Sequence, residues 1–438
     1  MKLSDKLNNL ECYPFHMPGH KRNPKFGITG SEIDITEIDG FDNLHDADGV
    51  LLDVETRLSK IYKSEKSFML INGSTVGILS AIFAVCNEGD LIIVARNCHK
   101  SVYNACMLRH LRLVYIEPEF DYVNGYYTRL LQSTVDNAVS EYPQAKCVII
   151  TSPTYEGNIS NIKTDIPLII DAAHGAHLGM GSFPAYPKAD IVVSSLHKTL
   201  PALTQTAVSN VYNEEYINRV KLYLDIFETS SPSYVLMDSV SKCCDFAENG
   251  RASFEEYTKM LWDFRDIDLY NLRLKYSDDF SKLVISTANT DLTGTNLAEI
   301  LRRDYNIEVE MASKSYVVLM TSVGDTQEGF ERLKNALLHI DSALLSKSEE
   351  LFKKPPIPTG ESVINIDDKS SALDLRAAIG KVSNEFVYAY PPDIPIFVPG
   401  ETVKRDTVNY LNSIQRAGVN VVSDSGLLPN KLLTKSDI

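Results

Sequence analysis

Lys198 follows the apolar run Ile191-Val-Val-Ser194 through only Ser195, Leu196 and His197. An amine at the buried end of a strand loses proton affinity through desolvation, which is what a Schiff-base lysine requires. Standing alone, such a lysine reads more readily as a surface residue at a helix start. Its neighbours shift that balance. Asp171 ends the run Leu168-Ile-Ile at the same edge of the sheet, one strand–helix step earlier. A carboxylate there is placed to hold a pyridine nitrogen protonated, the condition under which a pyridoxal phosphate ring withdraws electrons. The competing reading is an ordinary N-cap aspartate. Asn72-Gly73-Ser74-Thr75 joins a strand to a helix, so backbone N–H groups and two hydroxyls meet at a positive helix terminus. That is either a phosphate cradle or a plain capped helix, and it matches neither Walker A nor G-x-G-x-x-G. His99, in the strand-end loop Arg96–Lys100, is placed to lie flat on a cofactor ring, or else is a satisfied loop histidine. His174 and His177 form an H-x-x-H pair without the glutamate of a zinc helix and without a cysteine pair nearby, so no metal site is expected.

Such residues need a scaffold that gathers strand ends. Between residues 66 and 211, β-rich runs at 68–71, 91–95, 113–116, 147–151, 168–171, 191–194 and 207–211 alternate with helical patterns, among them 75–86 and 101–111. This alternation predicts an α/β fold with a large, mostly parallel sheet, in which ligands collect beyond the carboxyl ends of the strands. Eight of the nine histidines precede residue 198, which places the chemistry in the first half. A helical region over 214–266 is followed by a strand at 282–286, a helix at 296–305, strands at 307–311 and 316–320 and a helix at 326–340, the pattern of a small α+β domain. Lys353–Ser362, with three prolines and a glycine, reads as a linker. Beyond it come a helix near 373–382 and the Pro-rich loop Tyr390–Glu401. The expected domains are therefore an N-terminal arm (1–50), a large cofactor-binding domain (51–265), a small α+β domain (266–345), and a linker with a short C-terminal domain (346–438).

Lys and Arg total 43 against 58 Asp and Glu, giving a net charge of −15 and a pI near 5.1. Without a basic block, nucleic acid and anionic membranes are poor partners. The amino terminus has no signal-peptide pattern and the apolar stretch 78–86 is too short to span a bilayer, so a cytoplasmic protein is expected. Seven cysteines, an odd number with no C-x-x-C, read as reduced thiols, mostly in the core.

Taken in order, NGST (72–75), RNCHKS (96–101), DAAHGAH (171–177) and SSLHK (194–198) resemble the pyridoxal-phosphate-dependent ornithine/lysine/arginine decarboxylases of the aspartate-aminotransferase-like fold. FHMPGHK (15–21), DITEIDGFDNLHDADGVL (34–51), SPTYEG (152–157), TSSPSY (229–234) and YPPDIPIFVPGE (390–401) extend the resemblance over nearly the whole chain. The resemblance implies that Lys198 forms the Schiff base, Asp171 pairs with the pyridine nitrogen and His99 stacks on the ring. It implies that Ser74, Thr75, Ser195 and His197 bind the phosphate and that His174 lies near the cofactor, with Thr154 and Tyr155 close to the site. It also implies a homodimer or larger assembly with shared sites, in which Ser230 or Ser231 reaches a partner's phosphate. The chain lacks the receiver-like domain of the large inducible forms, its C-terminal part is short, and Asp393 stands where the family usually has glycine.

On this reading, a basic amino acid (lysine, ornithine or arginine) loses carbon dioxide to leave a polyamine-type amine. Lys198, His197 and His174 are the candidates for returning a proton to Cα, and Arg376 or Arg405 for gripping a carboxylate. The substrate's distal cation calls for a carboxylate, and Glu37, Asp39, Asp42, Asp46, Asp48 and Glu401 are candidates, Asp46 and Glu401 being preferred. Two other classes remain: another pyridoxal enzyme, such as an aminotransferase or β-eliminating lyase, and a non-catalytic regulatory homologue.

Overall fold

A computed structural model describes residues 2–348, 350–391 and 393–436; Pro392 of the Tyr390–Glu401 loop lies outside them. The chain forms two compact units, residues 1–85 with 168–255, and residues 86–167 with 256–438.

In the first unit the strands Lys66–Leu70, Ala207–Val211, Ile191–Ser195 and Leu168–Asp171 lie side by side in that order. Leu168–Asp171 runs parallel to Ile191–Ser195, with Asp171 opposite Val193. Ala207–Val211 runs antiparallel to both of its neighbours. The stretch 196–206 that leads into it falls short of the dozen or more residues a parallel crossover needs. These strands are buried almost throughout, which is why they read as unbroken apolar runs and not as alternating ones. The helix Gly73–Val85 packs on them through Gly77, where a Cβ would come within 2.7 Å of the Leu70 and Val193 side chains. Its other side meets the helix Ile217–Phe227. The helix Val50–Tyr62 is started by Asp42, whose carboxylate accepts from Gly49 N (2.6 Å), Val50 N (2.9 Å) and Leu51 N (2.8 Å). Burial alone would raise the Asp42 pKa, but the backbone N–H groups outweigh it and hold the carboxylate below its ordinary range.

In the second unit Cys147–Thr151, Leu91–Ala95, Arg112–Ile116 and Glu361–Val363 lie side by side in that order. The first three are parallel, whereas Glu361–Val363, the end of the Pro-rich linker, adds antiparallel and covers an edge. An antiparallel sheet of Arg273–Leu274, Lys282–Ser286, Tyr316–Met320 and Met311–Ala312 supports the helices Gly294–Tyr305 and Gln327–Ala343. The strand expected at 307–311 forms only from Met311 onward. Asn306 ends the preceding helix in the left-handed region (φ 54°) and Glu308 is turned back onto Arg302 by two hydrogen bonds of 2.6 and 2.7 Å.

The helix expected near 373–382 is absent. Ser370–Asp374 is instead a strand paired with Lys431–Lys435, followed by turns. Leu375 and Ala378 pack with Val387, Phe397, Leu411 and Leu432 in a separate core. The pairing partner lies far along the chain, so tertiary contact overrides a local pattern that a turn satisfies equally well. No helix among the described residues is long and apolar enough to cross a membrane. Six cysteines are buried and Cys12 is exposed.

Candidate active site

The first unit gathers polar side chains where its parallel pair of strands ends. Lys198 lies on the one-turn helix Leu196–Thr199, its Nζ 3.1 Å from His174 Nε2. His174, 6% exposed, belongs to the turn after Asp171, which the Gly175 N–H closes onto the Ala172 carbonyl at 2.8 Å. Backbone bonds from Ala172 N to Val193 O (2.8 Å) and from Ser195 N to Ala173 O (3.3 Å) carry the pairing past the strand ends, so residues 171–174 stay beside 195–198. Asp171 is 4% exposed, and its Oδ1 accepts from Ala173 N at 3.1 Å.

His197 directs Nδ1 at the Thr206 carbonyl, 2.8 Å away. A carbonyl only accepts, so Nδ1 carries the hydrogen and the neutral ring presents Nε2 as an acceptor. Burial lowers the His197 pKa, the Thr206 bond opposes this, and the charge of Lys198 adds to the lowering. Ser195 is fully buried and donates through Oγ to Ser74 Oγ at 3.0 Å. Gly73 adopts φ 76°, accessible to glycine without strain, and donates its N–H to the Gln205 carbonyl at 2.8 Å. A Cβ at Gly73 would meet no atom within 4 Å, so open space fronts the first turn of the Gly73–Val85 helix, where Thr75 is exposed.

This donor set fits pyridoxal phosphate. It offers an amine for the aldehyde, hydroxyls at a helix start for the phosphate, and a buried carboxylate for the ring nitrogen. Thr199, 3% exposed and next to Lys198, has a hydroxyl with no hydrogen-bond partner among the described residues, as expected beside a site built for a polar group.

The remaining sequence candidates are distributed differently. Asp46 is on the exposed surface of the first unit, and Asp42, as shown above, is a helix cap. Ser230 and Ser231 are exposed, as are Arg376 and Arg405. In the second unit His99 caps the helix Lys100–Leu108, its Nδ1 accepting from Ser101 N at 3.2 Å. Its Nε2 lies 3.7 Å from Asp393, which also pairs with Lys100 Nζ at 3.2 Å. Asp393 itself sits at φ 63°, a left-handed position suited to glycine. Thr154 Oγ1 accepts from Asn158 N at 3.1 Å, and the Tyr155 hydroxyl donates to Glu310. Glu401, 8% exposed, faces Arg96 at 3.5 Å and accepts from Val398 N at 3.2 Å; burial raises its pKa and Arg96 opposes that.

Sequence reasoning passed over two buried carboxylates, Glu156 and Glu228, because neither stands in a motif whose chemistry calls for an acid. Glu156 accepts from the Tyr316 hydroxyl at 2.9 Å, and burial lifts its pKa to about 7 against that bond. A carboxyl raised in this way favours the fold below its unfolded value of 4.5, and the advantage disappears as pH climbs to about 7. Glu156→Gln should therefore flatten the fall in stability between pH 4.5 and 7; urea melts across that window with unchanged slope in the variant would refute this.

Among the described residues, no group of three or more His, Cys, Asp or Glu is arranged to hold a metal ion. Residues 6–286 match the family model for the major domain of Orn/Lys/Arg decarboxylases, and residues 358–421 match the model for their C-terminal domain. An arginine decarboxylase of Bacillus subtilis is 29% identical over 93% of this chain and 91% of its own length. The uncharacterized protein YaaO of the same organism is 31% identical over 96% of this chain and 95% of its own. Among solved structures, the constitutive lysine decarboxylase of E. coli superposes with a TM-score of 0.79 at 16% identity, over 99% of this chain and 81% of that one, which is a likeness of fold.

Proposed function

The chain belongs to the Orn/Lys/Arg decarboxylase family, and from that membership we propose that it is a pyridoxal-phosphate-dependent decarboxylase of a basic amino acid, with arginine the favoured substrate. The observation that carries the chemistry is the Lys198–His174 contact beside the buried Asp171 and the Ser74–Ser195 hydroxyl pair. Support for arginine comes from the arginine decarboxylase that matches over nearly the full length of both chains.

Lys198 supplies the amine that holds the cofactor, Asp171 the carboxylate for its ring nitrogen, and Ser74, Thr75, Ser195 and the helix start the donors for its phosphate. When bound, the cofactor provides an electron sink for the pair released as the Cα–carboxylate bond breaks. The protein's own groups manage protons and water. Lys198 Nζ and His174 Nε2, 3.1 Å apart, hold a proton between them for return to Cα. His197, with Nδ1 fixed on Thr206, is the neutral acceptor next to them. Burial of Asp171 and Ser195 keeps bulk water from the groups that face developing charge. A homodimer is part of the proposal, supported by Tyr13 and Phe15, 74% and 90% exposed in the N-terminal segment.

The test is an assay of purified protein supplied with pyridoxal phosphate and given arginine, lysine and ornithine separately. Carbon dioxide and the matching amine in equal amounts, fastest from arginine, are expected. A keto acid or ammonia in place of carbon dioxide would instead establish one of the other pyridoxal chemistries.

A further inference from the structure

The segment after the Ile217–Phe227 helix holds the backbone that leads into the phosphate cradle. Glu228 is 7% exposed, and its Oε1 accepts from Ile71 N at 2.7 Å. Thr229 N returns a bond to Asn72 Oδ1 at 3.1 Å. Residues 228 and 229 thus hold 71 and 72 by one bond each, immediately before Gly73. The grip is itself anchored. The Thr229 carbonyl meets His45 Nε2 at 2.9 Å, His45 Nδ1 faces Asp225 at 3.1 Å, and Lys221 Nζ donates to the His45 carbonyl at 2.6 Å.

The first N–H groups of a helix have no partner inside the helix, so their direction is set by the residues that enter it. For Gly73–Val85 those residues are Ile71 and Asn72, the first held through its N–H by Glu228 and the second through its side chain by Thr229. We infer that Glu228 is the positioning residue of the phosphate cradle, fixing the direction in which Ser74 and Thr75 present their donors to the cofactor's phosphate. This rests on the cofactor reading above. Burial pushes the Glu228 carboxyl up to about 7, against its Ile71 N–H bond and the nearby His45, and with a smaller push from Glu55. The function assigned to Glu228 is that of an acceptor, which an amide oxygen at the same place also performs.

The test compares the affinities of pyridoxal phosphate and of pyridoxal, which lacks the phosphate, for wild type, Glu228→Ala and Glu228→Gln after cofactor removal. Wild type should prefer the phosphorylated form. Glu228→Ala leaves the buried Ile71 N–H unmatched and should weaken pyridoxal phosphate about tenfold while leaving pyridoxal within about twofold. Glu228→Gln should bind both like wild type. Should Glu228→Ala fail to fold, Glu228→Met keeps the volume without the acceptor and carries the same expectation. A Glu228→Ala protein that keeps the wild-type preference overturns the inference, as does one that loses both ligands equally or a Gln variant that does not restore binding. A wild type that binds the two forms alike would sink the cofactor reading itself, so the two failures are distinct.

Discussion

Lys198→Ala is expected to lower kcat for decarboxylation by about 10³–10⁴-fold, near the upper range for losing a positioned proton-transfer group. On the proposed reading the substitution removes two functions at once: the amine that would hold the cofactor, and the partner that lies 3.1 Å from His174 Nε2. The strand end and the helix Leu196–Thr199 should survive it, because Ser195 N and Leu196 N are held by the Ala173 and Thr206 carbonyls and not by the lysine side chain. The visible absorption of reconstituted protein and its thermal midpoint should therefore separate, the first lost and the second kept. Carbon dioxide release by the variant within tenfold of wild type would remove Lys198 from the mechanism.

Asp171→Asn is expected to cost about 10²–10³-fold in kcat, the range for removing one preorganised electrostatic contact in a water-excluded site. The amide retains an oxygen for the Ala173 N–H at 3.1 Å, so the turn that carries His174 keeps its geometry. What disappears is the negative charge. At 4% exposure little water is available to screen or replace it. The loss should fall on kcat with KM changed little, since on the proposed reading the carboxylate serves the ring nitrogen and not the substrate's distal group. Equal losses in the two constants, or a variant within tenfold of wild type, would show that Asp171 is no more than the N-cap it resembles.

Several particulars show why legibility in the sequence was uneven. Strands Leu91–Ala95, Cys147–Thr151, Leu168–Asp171 and Ala207–Val211 were readable to the residue because a doubly buried strand must be apolar throughout. Ser370–Asp374 was not, since its identity depends on pairing with Lys431–Lys435, which no local period encodes. The same distinction holds in the site. Lys198, Asp171 and Ser74 announced themselves as reactive types placed at strand ends. Glu228 did not, because its role comes from a backbone N–H supplied by Ile71, far away in the chain.

The alternation of apolar runs and helical patterns, by itself, determined the α/β class, and the strand-end motifs nominated the candidate site residues through the family resemblance, because residue type and distance from a strand end are local properties. Tertiary structure alone decided which carboxylates are spoken for. It made Asp42 a helix cap, set Glu401 against Arg96, directed Asp393 at His99 and Lys100, and buried Glu156 and Glu228 where their pKa values rise to about 7. The physical reason is that a carboxylate's role depends on how much water it loses and which donors replace that water, and those donors come from segments far away in the chain.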